Sequence, residues 1–265
     1  MPALRSSDAQ LFYEVTGDGP PVVLLHPFPL NRNFWTPVAQ RLAARYRLLM
    51  PDLRAHGESE AGDGPVTMAK MAADLALLCR EERVAKATFV GVSIGGYLLF
   101  EFWRRSREQV GALVLANTRA GAETSEGRAN RLAIAERILR EGTASFVEEM
   151  LPKLMSPVTL RNRPDIVDTG RRMMQQMSPQ DIAAVQQGMA DRPDSVATLK
   201  TIDVPTLIVA GEDDSIPRAE FELMRDQISG SRLVVLPRAG HYAALEQPEE
   251  FAEALRRFLE GLPRQ

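Results

Sequence analysis

Residues 87–105 read ATFVGVSIGGYLLFEFWRR. Ala87 to Val90 read as a short apolar strand, Ile94 to Arg105 as an apolar helix, and Gly91-Val92-Ser93-Ile94-Gly95-Gly96 joins the two. A strand that turns at once into a helix forces the central residue into a strained backbone and leaves no room for side chains beside it, so Gly91 and Gly95 supply space. Ser93 then projects above the sheet at a helix N-terminus, where unpaired N–H groups and the helix dipole favour developing negative charge. The string alone is common turn chemistry, and the plain rival is a serine that merely caps a helix. The strand before it and the helix after it favour a nucleophile.

Outward from this turn the same alternation continues. Runs rich in β-branched residues recur at Val22 to Leu25, Arg47 to Met50, Thr88 to Val90, Ala112 to Leu115, Thr206 to Val209 and Leu233 to Leu236. Most are short, apolar and bounded by turn residues, as parallel strands covered on both faces are. Helical stretches fall at Asn33 to Ala44, Thr67 to Arg83, Ile94 to Arg105, Arg218 to Ile228 and Pro248 to Leu259. This order predicts an α/β fold with a doubly wound, mostly parallel sheet. From about Arg119 to Lys200 no strand-like run appears, and helical periodicity covers Asn130 to Arg140, Thr143 to Met155, Pro164 to Met177 and Pro179 to Met189. The expectation is a core of residues 1–118 and 201–265 with an inserted helical cap over 119–200.

Composition narrows the classes of partner. Apolar residues make up 45% and charged residues 25% of the chain, which removes disordered and fibrous readings. The formal net charge of -3 supplies no basic field for phosphate backbones or anionic lipid, so neither nucleic acid nor membrane is an expected partner. MPALRSSDAQLFYEV lacks the apolar core of a signal peptide, and no segment approaches the roughly 18 apolar residues of a membrane span, so a cytoplasmic location is expected. The single cysteine, Cys79, lies in the apolar-periodic run MAKMAADLALLCREER. It reads as a small buried hydrophobe on a helix, with a thiol nucleophile as the rival. One thiol allows no internal disulfide and no thiolate cluster for a metal, and no cofactor is implied.

A serine hydroxyl needs a base within hydrogen-bond reach. Only three histidines exist. His26 and His56 precede Ser93, whereas His241 follows the last strand run, in LPRAGHYAALEQP. On such a sheet the nucleophile, acid and base arrive in that chain order, and His241 alone can come third. The orienting carboxylate then belongs in PTLIVAGEDDSIP, where Asp214 lies three residues past Gly211 and Asp213 four before Pro217. Asp214 is favoured, with Asp213 kept open. An oxyanion hole needs two backbone donors. Ile94 offers one, and LLHPFPLN offers the Phe28 N–H, since Pro27 has none.

With these pieces in place the chain resembles the α/β-hydrolase superfamily, particularly its small esterase, enol-lactonase and haloperoxidase-like members. The matching segments are VVLLHPFPL, PDLRAHGES, FVGVSIGGY, LIVAGEDD and RAGHYAALEQPEEF, in the family's order and across nearly the whole chain. The resemblance implies a structural role for Asp52, Arg54 and His56, and Ser93 stands where related dehalogenases carry an aspartate. Where the family usually has His-Gly, this chain has His26-Pro27, so the donor carried over is Phe28.

The family builds its acyl or alcohol pocket with the cap, which here contains Met150, Met155, Met173, Met174, Met177 and Met189. Ordinary packing is the plainer reading of these methionines; a pocket lined by Phe28, Met150, Met155, Met173 and Met177 is the sharper one. The resemblance implies hydrolysis of a small-molecule ester through an acyl-enzyme. Lactone hydrolysis and perhydrolysis are alternatives, a non-catalytic ligand receptor is a remote one, and the expected state is a monomer or homodimer.

Overall fold

The computed structural model describes residues 2–263. Its strands are β1 (Ala3–Arg5), β2 (Gln10–Thr16), β3 (Pro21–Leu25), β4 (Arg47–Pro51), β5 (Ala87–Val92), β6 (Val110–Ala116), β7 (Thr206–Gly211) and β8 (Arg232–Leu236). They form one sheet in the order β1-β2-β4-β3-β5-β6-β7-β8. The six strands from β4 to β8 in that order pair in parallel, while β1 and β2 are antiparallel at one edge. β5 and β7 are buried along their whole length, which explains their unbroken apolar runs.

The helices before the long insertion are α1 (Thr36–Leu42), α2 (Met68–Glu81) and α3 (Ile94–Ser106). Between β6 and β7 lie α4 (Ser125–Glu141), α5 (Ala144–Leu154), α6 (Pro157–Asn162), α7 (Pro164–Gln175), α8 (Pro179–Ala190) and α9 (Val196–Leu199). The chain then forms α10 (Arg218–Gln227), α11 (Ala243–Glu246) and α12 (Pro248–Glu260). Side-chain oxygens start several of them: Thr67 accepts from Lys70 N, Thr124 from Gly127 N, and Ser178 from Asp181 N.

The sheet order decides where a site can form. β3 to β4 steps one way along the sheet and β4 to β5 steps back the other way. Right-handed crossovers therefore put α1 on one face and α2 with α3 on the opposite face. The reversal makes the C-terminal ends of β3 and β5, neighbours in register from Val22 and Thr88 to Leu25 and Gly91, a topological switch point.

Three differences from the sequence reading have simple causes. β2, paired between β1 and β4, lies outside the strand runs because only one of its faces is covered: Leu11 and Tyr13 are buried while Phe12 and Glu14 are not. In the insertion, α4 starts at Ser125 rather than near Asn130, because the Thr124 cap adds a polar first turn without apolar periodicity. The short helices α6 and α9 fall below the length at which periodicity is readable.

Candidate active site

Ser93 sits at the junction of β5 and α3 with φ 56° and ψ -113°. A non-glycine residue in this region stores roughly 1–3 kcal/mol, and neighbours must hold it there. Ser93 N donates to Ala116 O at 3.0 Å, and the Ser93 carbonyl accepts from Thr118 Oγ1 at 2.8 Å. A Cβ on Gly91 would lie 2.5 Å from Gly95 C, and one on Gly95 would lie 2.7 Å from Leu25 O. Both glycines are therefore fixed by close backbone approach.

Beside this turn runs the loop after β3. Among the described residues, neither Phe28 N nor Ile94 N donates to a protein acceptor. Phe28 is buried; its ring lies 6.2 Å from that of Phe146 on α5, and its carbonyl accepts from Tyr242 OH at 3.3 Å. His26 anchors the loop from beneath: Nδ1–H donates to Pro27 O at 3.0 Å, and Nε2 accepts from Leu53 N at 2.9 Å. Burial pushes the His26 imidazole down to about 4, so it stays neutral.

The loops after β7 and β8 bring together the other two predicted side chains. His241 Nδ1 donates to Asp214 Oδ1 at 2.9 Å. Asp214 Oδ1 also accepts from Ile216 N at 3.0 Å, and Oδ2 accepts from Asn117 Nδ2 at 2.7 Å. Burial alone would raise the Asp214 carboxyl, but the imidazole, the Asn117 amide and the Ile216 N–H together hold it below the usual range. Asp213 is exposed, and among the described residues only its backbone N–H is hydrogen-bonded, donating to Ala239 O. The imidazole is thus met by Asp214 and not by Asp213.

Asn117 ties the three strand ends together. It follows β6, its N–H donates to Val209 O at 2.9 Å, and its amide also reaches Gly240 O, next to His241, at 3.2 Å. Its neighbours Ala116 and Thr118 are the residues that hold Ser93. Ser93 joins the cluster through its backbone; among the described residues its hydroxyl makes no hydrogen bond to His241. Such bonds are often long in ligand-free enzymes and tighten around substrate.

Residues 22–254 match the model of the Alpha/beta hydrolase family. The chain belongs to that family. It is similar to a thermophilic esterase from Thermogutta terrifontis, solved with malate bound, at 38% identity and a TM-score of 0.96 over 99% of both chains. A 3-oxoadipate enol-lactonase of Acinetobacter baylyi is 26% identical over 95% of this chain and 94% of its own length. A Bacillus subtilis protein provisionally named 2-succinyl-6-hydroxy-2,4-cyclohexadiene-1-carboxylate synthase is 29% identical over 94% of this chain and 95% of its own. The chain is a hydrolase of this alpha/beta family.

Against the hydrolase sheet the helical segment is fastened at several points. Tyr242 N donates to Leu154 O at 3.2 Å, and Asn31 Nδ2 donates to Gln176 Oε1 at 2.6 Å. The buried Glu246 carboxylate takes Gly240 N at 2.9 Å on one oxygen and Ser156 N at 2.8 Å on the other. One side chain therefore clamps the residue before His241 to the start of α6. Burial raises the Glu246 carboxyl, and the Ser156 N–H, the Thr159 and Ser156 hydroxyls and the Gly240 N–H oppose that rise.

Met155, Met173 and Met177 are buried in the continuous apolar core, and Met150 is partly buried against it. The remaining candidates have other roles. Asp52 accepts from Arg32 N at 2.8 Å and Glu58 N at 3.0 Å. Arg54 pairs with Asp74 and Asp8, and His56 Nδ1–H donates to Arg54 O at 2.9 Å. Cys79 is fully buried, and burial pushes its thiol up to about 12, far from thiolate chemistry at neutral pH.

Asn117 and Glu246 do not stand out in the sequence. Asn directly after a strand is a signal for left-handed backbone, and Asn117 has φ 46°. No local pattern marks Glu246, whose partners lie on two distant segments.

Proposed function

We propose that this chain is a serine esterase, cleaving carboxylic esters of small or medium apolar acyl groups through an acyl-enzyme. Ser93 Oγ attacks the carbonyl, His241 Nε2 takes its proton, and Asp214 holds Nδ1–H so that the other nitrogen is the base. The oxyanion is received by the Phe28 and Ile94 N–H groups, two donors worth roughly two to three decades in rate each. His241 returns the proton to the departing alcohol. Water then enters, His241 deprotonates it, and the acyl group leaves as the acid with Ser93 restored.

The observation that carries this reading is the 2.9 Å bond between His241 and Asp214 at the rim where the strained Ser93 turn emerges. Residues 119–200 act as a cap over that rim, and the Phe28 to Phe146 contact supports a pocket formed between the loop after β3 and α5. Met150, Met155, Met173 and Met177 contribute apolar walls to it.

Lactone hydrolysis passes through the same steps, and the enol-lactonase relative favours it as the second reading. Purified protein assayed on p-nitrophenyl esters and on lactones, beside Ser93→Ala, separates the two. The expected result is faster turnover of short esters and a loss of at least about three decades in the variant. Equal rates for both proteins would overturn the reading.

A further inference from the structure

Three guanidinium groups gather around one carboxylate on the flank of the Ser93 turn. Glu123 Oε2 accepts from Arg119 Nη2 at 2.8 Å, and Oε1 accepts from Arg131 Nε at 2.9 Å. The third cation, Arg192, has a side chain only 2% exposed and stacks its guanidinium carbon 4.0 Å over the Tyr97 ring. Its nearest carboxylate oxygen is Glu123 Oε1 at 3.6 Å, beyond hydrogen-bond distance. Arg192 Nε and Nη2 are both buried, and among the described residues neither has a hydrogen-bond partner. These two donors form one edge of the guanidinium, spaced to hold both oxygens of a single carboxylate.

Other acids nearby are committed elsewhere. Asp191 pairs with Arg128 at the surface, and Asp194 accepts from Ala122 N and Val196 N. Glu123 faces Nε at 3.6 Å without hydrogen-bonding it, so these buried donors carry a desolvation penalty that an anion reaching them would remove.

The position of the cluster connects it to the reaction. Tyr97 is about one helical turn past Ser93, and helical side chains four apart share a face and lean toward the N-terminus. Arg119 follows Thr118, whose hydroxyl donates to the Ser93 carbonyl. The cluster thus flanks Ser93 on the β6 side of β5, whereas the Phe28 loop flanks it on the β3 side.

We propose that Arg192, with Arg119, forms an anion subsite that binds a carboxylate at the far end of the substrate, so that the preferred esters are half-esters of short dicarboxylic acids. This deepens the Ser93 hydrolase reading and rests on it. The ester carbonyl lies over Ser93 with its oxygen toward Phe28 and Ile94, and the tail runs across Tyr97 to Arg192.

The test compares monomethyl glutarate with methyl butyrate for wild type, Arg192→Met and Arg192→Lys, following acid release. Wild type should favour the half-ester, and Arg192→Met should lower kcat/KM on it by about 10- to 100-fold while methyl butyrate changes less than about threefold. Arg192→Lys should recover part of the loss. Equal preference in wild type, or an equal fall on both esters in Arg192→Met, overturns the subsite, because a purely structural brace would affect both substrates alike.

A second readout uses glutarate alone, which should raise the Tm of wild type and not of Arg192→Met; no rise in wild type overturns the subsite. If wild type cleaves neither ester, the p-nitrophenyl ester assay beside Ser93→Ala decides the esterase reading, and the glutarate shift decides the subsite by itself. Should Arg192→Met not fold, Arg119→Met carries the same comparisons.

Discussion

Asn117 Nδ2 donates to Asp214 Oδ2 at 2.7 Å from a backbone held at φ 46°, so an asparagine at the end of β6 orients the carboxylate that orients His241. Asn117→Gly removes the amide while keeping a residue that tolerates the left-handed backbone. Losing a hydrogen bond to a buried charge is worth about 1.5–3 kcal/mol, so kcat/KM on a p-nitrophenyl ester should fall by about one to two decades. Unchanged kinetics would mean that Asp214 is fixed without Asn117.

Two buried histidines make stability depend on pH. Burial holds His26 at about 4 and, with the neighbouring His26 ring adding to the effect, His56 at about 3. In the unfolded chain both titrate near about 6.5. The unfolded state therefore binds protons first as pH falls, and stability present above about 6.5 is lost progressively toward the folded values. Urea unfolding at pH 7 and pH 5 should differ by about 2–4 kcal/mol in that direction. His56→Gln should roughly halve the slope, while a flat stability profile in wild type would contradict the burial argument.

The parts of the fold legible in the sequence share a local signal. The parallel strands from β3 onward are continuous apolar runs between turn residues, and the Ser93 turn announces itself through Gly91 and Gly95. β2 alternates because only one face is covered, a weaker local signal than a continuous apolar run. Which of Asp213 and Asp214 meets the imidazole depends on backbone direction after β7, invisible to spacing. Asn117, Glu246 and Arg192 matter through partners 65 or more residues away in most cases, as with Asn117 and Asp214 at a separation of 97. Nothing local encodes such meetings.

Glu246 provides a separate check on how the helical segment is held. Gln offers one carbonyl oxygen where Gly240 N and Ser156 N occupy two different carboxylate oxygens, so Glu246→Gln leaves one buried N–H facing an amide NH2. The variant should lose about 1–3 kcal/mol in chemical denaturation. Its kcat should fall as well, since Gly240 precedes His241. Full stability with normal kcat would show that the clamp does not position the histidine loop.

Gly91 is expected to tolerate no side chain. A Cβ there would lie 2.5 Å from backbone atoms of Gly95, and neither segment has slack to give. Gly91→Ala should lower the Tm by several degrees or abolish soluble expression, placing it in the range of about 1–3 kcal/mol or more typical of overpacking. A wild-type melting curve would contradict the close packing of this turn.

Labelling by a fluorophosphonate probe, mapped by peptide mass spectrometry, tests most directly whether Ser93 is the nucleophile served by His241. One adduct on the native protein is predicted, on the peptide carrying Ser93, formed at least about a hundredfold more slowly in His241→Ala. A native protein that stays unlabelled, or an adduct on any other residue, would contradict it.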